Sequence, residues 1–202
     1  VPEATPVRVA RVDLGQCTVL TPSHSPDATA RATVPHGVRV AVGDWVVLDD
    51  DLTVTDILPR TSAFTRGSAG QETTEQVVAA NVDTVLIVNA LDARLSLRRI
   101  ERYLAVGWQS GAAPVVVLTK ADLLDPADAA ERAAEVQAVA LGVPVHVLSA
   151  FDDDSLRVLD EYLQPGRTVA LLGMSGAGKS TLVNRLAGNQ AQATQDVRSD
   201  GK

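Results

Sequence analysis

Thr119-Lys120-Ala121-Asp122 comes first along the chain and Gly173-Met174-Ser175-Gly176-Ala177-Gly178-Lys179-Ser180 second, and their order decides the reading of the fold. The second run is a complete phosphate-loop pattern, G-x-x-x-x-G-K-[ST]. Such a loop needs glycine so that backbone N–H groups can wrap a phosphate, and the helix after it adds positive potential at its start. Gly173, Gly176 and Gly178 supply that freedom. Lys179 is placed to reach the β- and γ-phosphates, and the Ser180 hydroxyl, followed by Thr181, to join the shell of a Mg²⁺ ion. The chain has only three lysines, and two of them, Lys120 and Lys179, stand in these runs.

Working outward, residues 77–202 alternate strand and helix. Apolar runs at 82–89, 115–118, 143–148 and 168–172 read as buried strands. Residues 97–109, 126–141, 155–163 and 178–186 read as helices, with Pro126 opening the second, Ser155 as N-cap of the third and Gly188 ending the fourth. Strand–helix–strand repetition predicts a parallel sheet with ligands at the carboxyl ends of its strands, and the motifs fall there.

The phosphate loop alone does not choose between adenine and guanine. A carboxylate at Asp122 can accept hydrogen bonds from guanine N1–H and the 2-amino group, a pair that adenine does not offer. Lys120 would lay its stem along the base. Ser149-Ala150, one strand later, would present the Ala150 N–H to the guanine O6. Thr119 stands where Asn is more usual and can make fewer hydrogen bonds. Two other readings stay open: Asp122 as a plain helix cap in an ATPase or small-molecule kinase, and a non-catalytic RNA- or ribosome-binding module with nucleotide as a structural ligand.

Residues 1–58 alternate short apolar runs with turns. Strands are expected at 7–10, 17–20, 38–42, 45–48 and 52–55, with turns at Gly43-Asp44 and Asp49-Asp50-Asp51. Five such strands predict a small all-β barrel, of which the oligonucleotide-binding (OB) fold is one kind. Trp45 is expected in its core. Residues 59–76, with Arg60, Arg66, Gly67 and Gly70, read as a linker.

The 202 residues are 46% apolar and 3% aromatic, a balance that suits branched strands against alanine-rich helices. No apolar run approaches the roughly 20 residues that span a bilayer. No basic start followed by an apolar stretch suggests export. The chain begins with Val1, which implies that an initiator or short leader has been removed. The net charge of −7 argues against a broad nucleic-acid surface. The single cysteine, Cys17, reads as a buried hydrophobe in a reduced cytosolic setting. His24, His36 and His146 are scattered. Asp152-Asp153-Asp154 could hold a metal but reads better as a solvated loop, and Arg98, Arg99 and Arg102 read as a solvated helix face.

Together these residues resemble the circularly permuted GTPases that assist maturation of the small ribosomal subunit, the RsgA (YjeQ) family. The resemblance runs through Gly43-Asp44-Trp45-Val46, Arg60-Thr61-Ser62 and Arg66, Ala80-Asn81-Val82-Asp83, Val117 to Leu123, Gly173 to Thr181, and Asp200-Gly201-Lys202. In ordinary GTPases the guanine-reading run follows the phosphate loop, whereas here it precedes it. The resemblance implies an OB-like barrel followed by a rotated P-loop GTPase domain that binds GTP or GDP with Mg²⁺. It also implies docking on the small (30S) subunit and its rRNA, hydrolysis stimulated by that subunit, a cytoplasmic location without a membrane, and a monomer. The family continues past Asp-Gly-Lys with its switch segments and a zinc-binding domain. No residue of this chain is therefore assigned to the hydrolytic step, and zinc is expected only in that further domain. A chain ending at Lys202 is expected to hold nucleotide loosely, hydrolyse it poorly, and leave an apolar strand edge at 168–172.

Overall fold

Period-two alternation builds the first of the two units into which the chain divides, residues 1–82 and 83–202. The computed structural model describes residues 5–21, 28–67 and 75–188. His24, Gly70 and Asp200-Gly201-Lys202 lie outside the described residues. Strands β1 (Val7–Asp13), β2 (Gln16–Leu20), β3 (Thr29–Thr33), β4 (Trp45–Leu48) and β5 (Val54–Ile57) form an antiparallel sheet in the order β3-β2-β1-β4-β5. Val9, Cys17, Val19, Ala32, Val46 and Val54 turn inward and are buried together. A parallel bridge between Thr33 and Thr53 joins the two outer strands, so the sheet curls into a small barrel.

Two expectations for this unit are corrected. No strand forms at 38–42: Ala41–Asp44 closes a turn, with the Ala41 N–H donating to the Asp44 carboxylate and the Asp44 N–H to the Ala41 carbonyl, and only Val42 makes an isolated bridge, to Ala79. The third strand is β3, Thr-Ala-Arg-Ala-Thr, whose small and polar residues carry little apolar signal. Trp45 is not in the core. Val46 is fully buried, so alternation turns Trp45 outward, 39% exposed, with the Arg8 guanidinium 5.3 Å above its ring.

The stretch 59–76 carries regular structure: β6 (Ala63–Gly67) pairs antiparallel with β7 (Glu75–Ala80). The family-like residues on either side tie this hairpin to the barrel. Asp44, wholly buried, takes two hydrogen bonds from Arg60, at 2.7 and 2.8 Å. Asn81 accepts from the Thr61 N–H and donates to the Gly43 carbonyl.

In the second unit β8 (Thr84–Ala90), β9 (Ala113–Thr119), β10 (Val145–Val147) and β11 (Val169–Leu172) form a parallel sheet in the order β10-β9-β8-β11. Every residue of β8 is buried, as a central strand covered on both faces requires. On one face Ile87, Val116 and Leu118 pack with residues of α1 (Leu97–Ser110) and α2 (Pro126–Val139). On the other, Leu86, Val88, Val115 and Val117 pack with Leu156 of α3 (Asp153–Leu156), Leu159 of the 3-10 turn after it and Leu182 of α4 (Lys179–Leu186). The helix expected over 155–163 is thus a single α-turn with a 3-10 continuation, and Asp152, not Ser155, caps it. The chain steps from β8 to β9 to β10 and then returns to lay β11 on the other side of β8. That reversal is the switch point where open α/β sheets bind ligands. Among the described residues no strand pairs with the far edge of β11.

Candidate nucleotide site

β11 delivers the phosphate loop beside the end of β8. A Cβ on Gly173 would run into the Val88 carbonyl, so only glycine lets the loop start this close to the central strand. Gly178 has φ 91° and serves as the N-cap of α4. The Lys179 ammonium donates to the Gly173 and Met174 carbonyls at 2.8 and 2.7 Å, which fixes it over the loop. Burial pulls its pKa down from the usual lysine range. Ser180 and Thr181 follow in the first turn of α4, both half-buried.

Thr119 ends β9 and is 1% exposed. Its hydroxyl donates to the Ala177 carbonyl at 2.7 Å and lies 3.4 Å from the Asn89 carbonyl. The T-K-x-D run and the glycine-rich loop are thereby joined directly. Lys120 takes a left-handed conformation, φ 63°, which turns the chain sharply into a 3-10 turn over Ala121–Leu123. Its ammonium lies 3.7 Å from the Asp92 carboxylate. Arg94 binds the same carboxylate through two nitrogens and holds it below the usual carboxylate range.

Ala121, Asp122 and Ser149 border one open pocket of about 400 Å³, together with Phe151, Asp152 and Ser155. Ser155 holds the Ser149-Ala150 turn. Its hydroxyl lies 3.0 Å from the Ser149 carbonyl as donor and accepts the Ser149 N–H at 3.2 Å. The Ala121 N–H donates to the Leu148 carbonyl, which links the two turns. A second, smaller pocket is bordered by Met174, Ser175 and Ala177 with Asn89, Ala90, Asp92, Arg94 and Arg99. The structure thus brings Thr119 onto the loop at Ala177 and Asp122 alongside Ser149, while Lys120 pairs toward Asp92.

Four participants were not singled out from sequence. Asp92 and Asn89 stand at the carboxyl end of β8, and that position was the available signal. Ser155, expected from sequence as a helix cap, instead holds the Ser149 turn, and Phe151 follows Ala150 directly. The weaker candidates resolve as ordinary contacts: Asp152 caps α3, Asp153 pairs with Arg185 and Asp154 with Arg157. Arg99 donates to the Arg94 carbonyl, and Arg102 lies over Tyr103. His146 shares a 2.9 Å hydrogen bond with Tyr162. Among the described residues no group of three or more His, Cys, Asp or Glu side chains could hold a metal, and no helix is long and apolar enough to cross a membrane.

Comparison with known proteins agrees with this geometry. Similar solved structures are YjeQ from Thermotoga maritima, with a TM-score of 0.71 and 23% identity over 90% of this chain and 64% of that one, and YloQ, described as a circularly permuted GTPase, with a TM-score of 0.63 and 24% identity over 89% and 63%. They share the fold. Small ribosomal subunit biogenesis GTPase RsgA of Methanosarcina acetivorans is 44% identical over 190 residues, 91% of this chain and 51% of that protein. The protein of the same name from Streptomyces coelicolor is 44% identical over 204 residues, 98% of this chain and 56% of that protein. The chain therefore spans about half the length of the curated relatives it matches. The family model for RsgA GTPase matches residues 57–202. With the phosphate loop following the T-K-x-D run and bonded to it through Thr119, the chain belongs to the RsgA GTPase family.

Proposed function

We propose that this chain binds guanine nucleotide at the Thr119–Asp122 and Gly173–Thr181 runs and that the protein acts as a GTP-hydrolysing factor in maturation of the small ribosomal subunit. The hydrogen bond from Thr119 to Ala177 carries the reading, because it couples a base-reading turn to a phosphate-binding loop in one site. Asp122 reads the guanine edge, the Ala150 N–H meets O6, and the stem of Lys120 lies along the base. Lys179 and the loop N–H groups from Met174 to Ser180 bind phosphate. The Ser180 hydroxyl fits a Mg²⁺ ion, since it stands in the first helical turn immediately after the phosphate-binding lysine; the ion would neutralise phosphate charge. Guanine distinguishes this site from that of an ATPase or kinase.

The organisation that goes with this function is a barrel at 1–58, a connecting segment at 59–76 that carries β6 and the start of β7, and a rotated GTPase domain from 77. Relatives bearing the small-subunit biogenesis name support a ribosomal partner; rRNA as the surface met and a cytoplasmic monomer as the working form are part of the same proposal. The test is GTP turnover by the protein alone and with purified small ribosomal subunits. Stimulation by the subunit is expected. Turnover unchanged by small subunits, or equal stimulation by large ones, would contradict the assignment.

A further inference from the structure

On the reading of this pocket as a guanine site, we infer that Phe151 forms the stacking wall for the base. The chain has only two phenylalanines, and 3% of its residues are aromatic. One of those two is 76% exposed. A single exposed apolar side chain needs no explanation by itself. Phe151, however, borders the same open pocket as the Asp122 carboxylate and directly follows Ala150.

Its backbone is also held in place. The Phe151 N–H donates to the Ser149 hydroxyl at 3.1 Å, and Ser155 binds both the N–H and the carbonyl of Ser149. An exposed ring on a fixed turn loses little conformational freedom when a flat ligand settles on it.

The division of labour follows from the shape of a purine. Asp122 and the Ala150 N–H act in the plane of the ring, at its edge, and leave both faces uncovered. The Lys120 ammonium is held toward Asp92 at 3.7 Å, which leaves its stem to serve one face of the base. Phe151 supplies the other. Stacking tolerates any base, because every base has a π face. Phe151 therefore sets affinity, while Asp122 sets the choice of base.

Calorimetric titration with GDP, IDP (which lacks the 2-amino group) and ADP separates these roles in the wild type, Phe151→Ala and Phe151→Tyr. Thermal melting of each variant is expected to match the wild type, since the side chain is exposed. Phe151→Ala should weaken GDP and IDP alike by about 5- to 150-fold, the range of base–aromatic stacking. Phe151→Tyr should retain the affinity, and the GDP-to-IDP ratio should stay fixed throughout. Unchanged GDP affinity in Phe151→Ala overturns the proposal. So does a loss confined to GDP, which would mean that Phe151 acts only through the edge contact. A wild type that binds no guanine nucleotide overturns both the proposal and the site beneath it. Equal wild-type affinity for GDP and ADP, with the same loss for both in Phe151→Ala, removes the guanine reading and keeps the stacking wall.

Discussion

Thr119 shows how one hydroxyl can set the geometry of a site made by two distant segments. From sequence it is the less capable substitute for an asparagine. In the fold its donor is spent on the Ala177 carbonyl, inside the phosphate loop, at a position 1% exposed. Thr119→Val keeps the shape and removes that bond, leaving a buried carbonyl short of a partner, at a cost of about 1–3 kcal/mol. Urea unfolding should show that loss. GDP and ADP affinity should fall by the same factor, because the loop is disturbed and the base-reading edge is not; a selective loss of GDP would contradict this role. In the barrel unit the corresponding residue is Arg60, bonded twice to the wholly buried Asp44. Arg60→Ala strands a buried carboxylate and is expected to cost about 3–5 kcal/mol. A change in melting temperature no larger than that of a surface substitution would show the pair to be dispensable. Neither role was legible beforehand: the identities stood in the sequence, but both partners are set by chain reversals that no local pattern encodes.

At the scale of elements, what was legible followed from burial. β8 is apolar along its whole length because it is covered on both faces, and the pattern shows it. β3 was missed because a barrel strand with small inward residues needs only Ala32 buried to do its work. β6 and β7 were missed because their residues include Thr65, Arg66, Gln76 and Glu75, which read as polar connection. β10 carries a pH-dependent element. Burial lowers the pKa of His146 below its usual 6.5, and burial with Glu161 nearby pushes Tyr162 up to about 12. The phenol therefore stays protonated, and its oxygen shares a hydrogen bond with Nε2 of His146. Above pH 6.5 the imidazole is neutral in both folded and unfolded chains, and the stability of this contact is fully present. As pH falls below 6.5 the unfolded chain takes up the proton first, so stability is lost until the lower folded pKa is passed. Melting temperatures between pH 7 and about pH 5 should fall less steeply in His146→Phe than in the wild type. Parallel slopes would remove His146 as the cause.

At the scale of the molecule, chain order and spatial order part company. The phosphate loop comes late in sequence, yet β11 sits beside β8, with its loop next to Thr119 and Asn89. The motifs were legible because each is written in backbone demands: glycines where a strand approaches closely, and a lysine and hydroxyl at a helix start. Asp92, Ser155 and Phe151 were not, since their relevance depends on which turns meet at the sheet's carboxyl edge. In the proposed reading those turns form one guanine site in this order. Titration of the chain with GDP and ADP in Mg²⁺, with Asp122→Ala alongside, decides it. A clear preference for GDP is expected in the wild type and loss of that preference in the variant, with ADP affinity unchanged. Equal affinities in the wild type, or a preference that survives in Asp122→Ala, would contradict it.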